Sequence, residues 1–156
     1  SKLRIAIVDL DVHQGNGTAS ILQHDSSIFT LSIHGENNFP FQKELSDLDC
    51  GLQDGSDDQA YLQTLNECLD QLDRRFKPDF VIYLAGADPH EDDRLGRLKI
   101  TKEGMRLRDE TVFQYGLDRN IPIAFSMAGG YGREIASTVE IHYQTIQTAL
   151  QFQMRY

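Results

Sequence analysis

The chain alternates short apolar runs with helical patterns, and every apolar run ends in a cluster of polar residues. Leu3–Val8, Phe29–His34, Phe80–Ala85 and Ile121–Met127 are short, mainly apolar runs, with apolar residues at successive positions in Ile5–Val8 and Phe80–Ala85. That is the pattern of strands covered on both faces, as in a parallel sheet. Helical patterns lie between them. Asn16–Gln23 is short and follows a glycine-rich turn. In Asp58–Phe76, residues Leu62, Leu65, Leu69, Leu72 and Phe76 recur at alternating spacings of 3 and 4, one apolar stripe of an amphipathic helix, with Pro78 as a stop. Lys102–Gly116 follows Thr101, a good N-cap residue. Ile135, Val139, Tyr143, Ile146 and Leu150 mark a last helix. Strands alternating with helices predict an α/β layered domain around a mainly parallel sheet. Residues 35–57 form a long connection without periodicity, a length typical of functional or disordered loops.

In such sheets ligands bind at the carboxyl ends of the strands, and the polar clusters occupy those places. Asp9, Asp11 and His13 follow the first run, Ser32 and His34 end the second, Gly86, Ala87 and Asp88 follow the third, and Gly129, Gly130 and Tyr131 follow the fourth. Side chains two apart on an extended chain point the same way, so Asp11 and His13 can grip one ion, with Asp88 as the natural third ligand. One histidine and two carboxylates with open positions suit catalytic Zn²⁺ or Fe²⁺. The competing reading makes Asp9 and Asp11 helix caps and His13 a loop residue. Gly15-Asn16-Gly17-Thr18 lacks the Lys-Ser/Thr of a phosphate loop and reads as a tight strand-to-helix turn. Gly129–Gly132 is either a turn or a place where backbone approaches a ligand beside the Tyr131 hydroxyl, a donor suited to an oxyanion. Glu91-Asp92-Asp93 reads as a solvated loop, and His24, His90 and His142 have no partner spacing.

Composition removes several classes. Fifteen Lys and Arg against 24 Asp and Glu give a net charge of −9 and a pI near 4.9, a poor basis for gripping nucleic acid or anionic membrane. No apolar run approaches the roughly 18 residues that span a bilayer. Cys50 and Cys68 form no C-x-x-C pair and no disulfide framework. With no signal-peptide architecture at Ser1–Ile5, a reducing, cytoplasmic location is expected. At 156 residues and 40% hydrophobic content, one domain over 1–156 is expected.

The stretch Val8-Asp9-Leu10-Asp11-Val12-His13-Gln14-Gly15-Asn16-Gly17-Thr18 closely resembles the histone deacetylase family of the arginase–deacetylase fold. The likeness continues in family order at Leu31-Ser32-Ile33-His34, at Gly86-Ala87-Asp88, at Asp93-Arg94-Leu95-Gly96 and at Gly129-Gly130-Tyr131. The His13-Gln14 pair and the Asp-Arg-Leu-Gly loop are most similar to the class IV branch and its bacterial relatives. The resemblance implies a three-layer fold with helices on both sheet faces. It implies Asp11, His13 and Asp88 as zinc ligands, Tyr131 as hydrogen-bond donor to the substrate carbonyl, and Asp9 as the aspartate that orients a catalytic histidine. It also implies a structural potassium site at Asp9, Asp11, His13, Ser32 and Ile33, mostly through backbone oxygens. Asn16 matches the partner of a second catalytic histidine, and Phe39, Leu95, Gly129 and Gly130 match the acyl channel.

The implied activity is zinc-dependent hydrolysis of acyl-lysine or a similar acylated amine such as a polyamine. The family's adjacent histidine pair, which handles protons, does not occur in these residues. The chain therefore resembles the C-terminal portion of a deacetylase domain, with low activity expected of it alone. The strand at Leu3 would then lack its usual flanking strands, exposing apolar surface and favouring self-association or capture of an N-terminal segment. Two rival readings remain. One is an inactive deacetylase-like fragment or binding module. The other is a Mg²⁺-dependent haloacid-dehalogenase-like phosphatase built on Asp9-Leu10-Asp11, Ser32 and Glu91-Asp92-Asp93, which leaves His13 and Gly129-Gly130-Tyr131 unexplained.

Overall fold

Five strands pair side by side and all run the same way. The structure, a computed structural model, describes residues 2–155. Strands β1 (Ile5–Asp9), β2 (Ile28–Gly35), β3 (Leu48–Leu52), β4 (Phe80–Ala85) and β5 (Ile123–Met127) form one parallel sheet in the order β3-β2-β1-β4-β5. Helices α1 (Asn16–Leu22), α2 (Asp58–Arg75), α3 (Lys102–Arg119) and α4 (Ile135–Gln153) connect and follow them. The α/β expectation holds, as does the expected Thr101 cap on α3, and α2 has a cap the sequence reading did not name. Thr101 accepts from the Gly104 amide, and Asp57 does the same for α2 through the Ala60 amide. Helix α3 runs to Arg119, beyond the expected end at Gly116, and stops at Asn120, whose φ of 54° is left-handed.

Alternate strand positions divide the sheet into two unlike faces. Ala6, Val8, Phe29, Leu31, Ile33, Val81, Tyr83 and Ala85 are buried against α2 and α3, where they meet Leu65, Leu69, Leu72, Met105, Val112 and Phe113. Phe113 stacks edge-on to both Tyr83 (5.9 Å) and Phe125 (5.6 Å). The other face carries Asp9, Thr30 and Ser32, and is approached by α1, whose preceding Gly15 amide lies 3.5 Å from Ser32 Oγ. Helices thus flank both faces. On this second face Ile5, Ile7, Ile82 and Leu84 are only partly buried.

Three sequence expectations need correction. The strand beginning at Leu3 is not short of neighbours: β1 lies at the centre, with Asp9 level with Ser32 on one side and Leu84 on the other. The exposed apolar surface is instead at Met127, at the end of β5, and on α4, with further partly buried apolar residues on the second sheet face. The stripe Ile135, Val139, Tyr143, Ile146 and Leu150 does mark a helix, but it faces outward, with Val139 59% exposed. The helix buries Ile141, Thr145, Thr148 and Phe152 instead. Two polar threonines can sit inside because Thr145 Oγ1 donates to Asp109 and Thr148 Oγ1 donates to the Gln144 carbonyl. Finally, residues 35–57 contain an edge strand, β3. Its inward residues Leu48, Cys50 and Leu52 alternate with Asp49 and Gly51, and Cys50 Sγ lies 2.6 Å from the free thiol of Cys68 on α2.

No helix among the described residues is long and apolar enough to cross a membrane.

Candidate metal centre

Strand order reverses between β1 and β4. From β1 the chain moves outward to β2 and β3, then returns to place β4 on the other side of β1. A crevice opens at the carboxyl ends of two such strands, because their following loops turn to opposite sides. Asp11 and His13 leave β1 there, and Asp88 leaves β4.

The three side chains converge. His13 Nδ1 lies 2.9 Å from Asp11 Oδ1 and 3.3 Å from Asp88 Oδ2. One ligand atom from each residue falls within 4.8 Å of the others. The carboxylates are held by backbone amides: Val12 N–H donates to Asp88 Oδ1 (2.8 Å), His13 N–H to Asp11 Oδ1 (2.9 Å) and Gly129 N–H to Asp11 Oδ2 (2.7 Å). Asp88 is fully buried, yet its Oδ2 accepts no hydrogen bond. The His13 ring is close enough to that oxygen for ion pairing but is not aligned as a donor.

Electrostatics reflects two buried carboxylates facing one imidazole. The hydrogen bond to Asp11 and the nearby Asp88 carboxylate raise His13 to about 10. Burial raises Asp88 to about 6, with the Asp11 charge adding to it. Burial also pushes Asp11 up, but the His13 ring and the His13 and Gly129 amides outweigh it and hold the carboxyl below its ordinary range. Burial raises Asp9 to about 7. Such a cluster calls for positive charge at its centre. A buried carboxylate oxygen without a donor, beside a second carboxylate and a ring nitrogen, is a donor set that fits a divalent cation, and a histidine with two carboxylates is a set that zinc accepts.

Glycine is required around the cluster. A Cβ on Gly129 would lie 2.1 Å from Asp88 Oδ2 and 2.6 Å from Asp11 Oδ2. The Gly-Gly-Tyr segment is therefore a close approach of backbone to the ligands as well as a turn. Asp9 points to the adjacent strand end: its Oδ1 accepts from the Asp11 amide (3.1 Å), and it sits level with Ser32, next to Ile33, in the ladder. Asn16 opens α1 just beyond.

The rim is built from three loops. Tyr131 is 55% exposed, and its amide donates to Asp93 Oδ2 at 2.6 Å. The other Asp93 oxygen accepts from the Leu95 and Gly96 amides, both at 2.8 Å. Asp93 is thus buried and ties two loops together, which corrects its reading as part of a solvated charge run. Phe39 and Leu95 are both exposed on neighbouring loops, joined by Asn38, whose Nδ2 donates to the Leu95 carbonyl (2.8 Å) and whose Oδ1 accepts from the Arg97 amide (3.2 Å). His142 lies beneath Gly130, with a buried Nδ1 that has no hydrogen-bond partner among the described residues. Sequence reasoning had singled out neither Asn38 nor the structural role of Asp93. The available signal was their type: short polar side chains beside Pro40 and Gly96 are those that bind nearby backbone in turns.

The match to known proteins covers nearly the whole chain. An uncharacterised protein of Picosynechococcus sp. is 50% identical over 139 residues, covering 89% of this chain and 46% of its own length. Histone deacetylase 2 of Arabidopsis thaliana is 37% identical over 144 residues, covering 88% of this chain and 37% of its own. The chain therefore spans less than half the length of these relatives. The crystal structure of acetylpolyamine aminohydrolase from Burkholderia pseudomallei superposes with a TM-score of 0.77 over 93% of this chain and 44% of that one, at 24% identity, and so shares the fold. Residues 1–146 match the family model for the histone deacetylase domain. With that match over most of its length, the chain belongs to the histone deacetylase family.

Proposed function

We propose that this chain carries the metal-binding and oxyanion-stabilising part of a zinc-dependent amidohydrolase that removes acyl groups from acyl-lysine or similarly acylated amines. The observation that carries the reading is the buried, donorless Asp88 Oδ2 facing Asp11 and His13 where the strand order reverses. Asp11, His13 and Asp88 would hold the zinc, which when bound polarises the amide carbonyl and acidifies a water molecule. The Tyr131 hydroxyl donates to the carbonyl oxygen, more strongly as negative charge develops there. Gly129 keeps Asp11 oriented through its amide. Phe39, Leu95, Gly129 and Gly130 line the path of the acyl-bearing stem, and Asp9 orients a histidine. Proton transfer is assigned to groups outside these residues, which contain no adjacent histidine pair. Asp9, Asp11, His13, Ser32 and Ile33, at the end of β1, in the loop after it and in β2, would hold a structural potassium ion, mostly through backbone oxygens. The names of the Arabidopsis and Burkholderia proteins point to acetylated histone and acetylpolyamine, whose shared chemistry is an acetylated primary amine.

Zinc binding tests the reading directly. Titrated against a chromophoric chelator, the folded chain should bind one equivalent of zinc. Asp88→Asn should weaken binding by more than the roughly 10–100-fold typical of a change outside the ligand set, because a neutral amide is a poorer ligand than a carboxylate. A folded wild-type chain that fails to compete for zinc at micromolar concentration would sink the proposal.

A further inference from the structure

Resting on that metal reading, we propose that Arg108 is a positioning residue for the centre: its buried guanidinium joins the carbonyls of Leu10 and Gly86 and so sets the spacing of the two ligand-bearing loops. Arg108 lies in α3 and is 0% exposed, the largest fully buried side chain among the described residues. Its Nη1 donates to the Gly86 carbonyl at 2.6 Å and reaches the Leu10 carbonyl at 3.5 Å. Leu10 immediately precedes Asp11, and Gly86 stands two residues before Asp88.

The location matters because the sheet can no longer hold the two chains together there. The ladder between β1 and β4 ends at the pair Asp9 and Leu84, with one further bond from the Leu10 amide to the Leu84 carbonyl at 3.1 Å. Beyond it the loops stay close, with the Val12 amide on Asp88 Oδ1 and Gly86 against the Asp11 backbone, but the Leu10 and Gly86 carbonyls there need donors from elsewhere. One guanidinium nitrogen serves both. Its direction is fixed from behind: Asp109 Oδ1 lies 2.9 Å from Nε and 2.8 Å from Nη2, leaving Nη1 aimed at the carbonyls. Asp109 is held in turn by the Tyr83 and Thr145 hydroxyls. The planar fork permits this arrangement, whereas the single ammonium of a lysine cannot pair with Asp109 and span to the carbonyls with the same geometry. A buried ion pair is seldom the most stable way to fill a core, since matched apolar residues often do as well or better. Its position under both ligand loops accounts for it better than core stability does.

The test compares three variants of the 156-residue chain. Arg108→Lys keeps the charge and loses the fork. The double variant Arg108→Met with Asp109→Leu replaces the ion pair with apolar side chains of similar size. Thr145→Val loosens the same network without touching either carbonyl. Each is measured for zinc affinity by chelator competition, for the visible absorption of bound Co²⁺, and for thermal unfolding without metal. The expected result is that both Arg108 variants lose about 10–100-fold in zinc affinity, the usual range for residues that support ligands, and show an altered Co²⁺ spectrum. Thr145→Val should unfold at lower temperature with both metal readouts unchanged. The proposal is overturned if the Arg108 variants match the wild type in affinity and spectrum, or if Thr145→Val weakens zinc as much as they do. It is also overturned if neither Arg108 variant folds, since the residue would then be holding the core. A wild-type chain that binds neither ion would remove the metal reading itself.

Discussion

Replacing Gly129 with alanine puts one methyl group into the metal centre. The new carbon would stand 2.1 Å from Asp88 Oδ2, 2.6 Å from Asp11 Oδ2 and 3.0 Å from Asp88 Cγ, where ordinary contact begins near 3.4 Å. Something must therefore move by about 1 Å. The carboxylates have little freedom to give way. Asp88 is fully buried with Oδ1 on the Val12 amide, and Asp11 Oδ1 is held by the His13 amide and ring. The loop after β5 must retreat instead, which breaks the Gly129–Asp11 bond, or the ligands must spread. Overpacking of this kind costs about 1–3 kcal/mol of stability, and disturbed ligand support weakens metal binding by about 10–100-fold. The paired assay is thermal or urea unfolding without metal, and zinc competition with it. Gly17→Ala is the matched control: nothing lies within 4 Å of its added carbon, so stability should hold or rise by about 0.4–1 kcal/mol through the unfolded state. If Gly129→Ala matched the wild type in both measurements, the close approach of backbone to ligands would be wrong.

Other consequences can be measured separately. In a longer chain that supplies an adjacent histidine pair, Tyr131→Phe should keep zinc and lower kcat on the order of 10²–10³-fold, the effect of removing one oxyanion donor; normal turnover of an acetyl-lysine peptide with zinc bound would return the tyrosine to a purely structural part. The Ser27 hydroxyl and amide, with Lys2, hold Asp25 at about 2 against an ordinary 3.8. A depressed carboxyl stabilises the folded state above its unfolded value and loses that contribution as pH falls from about 4 towards 2. Asp25→Asn should therefore flatten the acid limb of a stability–pH curve, and an unchanged limb would contradict it. The outward stripe on α4 and the half-covered sheet face should make the isolated chain self-associate with concentration. Sedimentation should show this and show it reduced by Val139→Lys with Leu150→Lys, whereas a monomer across a wide concentration range would count against it.

Strands β1, β2, β4 and β5 and all four helices were legible as local patterns, because an element's period is written into neighbouring residues. Strand β3 was not. It is five residues long, sits at the edge, and contains a glycine and an aspartate, so its propensity is weak and its existence depends on pairing with β2. The buried side of α4 was misleading for a related reason. Its apolar stripe predicts a helix, but a hydroxyl partner on α3 lets Thr145 turn inward, and no local rule anticipates that partner. Arg108 was invisible in the same way. In a helix covered on most sides, its spacing from Met105 and Val112 does not distinguish a buried guanidinium from a solvated one.

For the metal centre, residue type and order carried much of the answer. Asp11 and His13 are two apart just past an apolar run, and the bend that brings the His13 amide back onto Asp11 Oδ1 puts them together wherever that strand lies in the sheet. Asp88 is different, because nothing in its neighbourhood along the chain says which of the other strands it will face. That follows from β4 crossing back to pair with β1 instead of extending the sheet beyond β3, and from Arg108 and Gly129 holding the resulting loops close. Chemical character is a property of each side chain and can be read one residue at a time. The few ångströms that make two carboxylates and an imidazole into one centre are a property of strand order, fixed only when the whole sheet closes around its core.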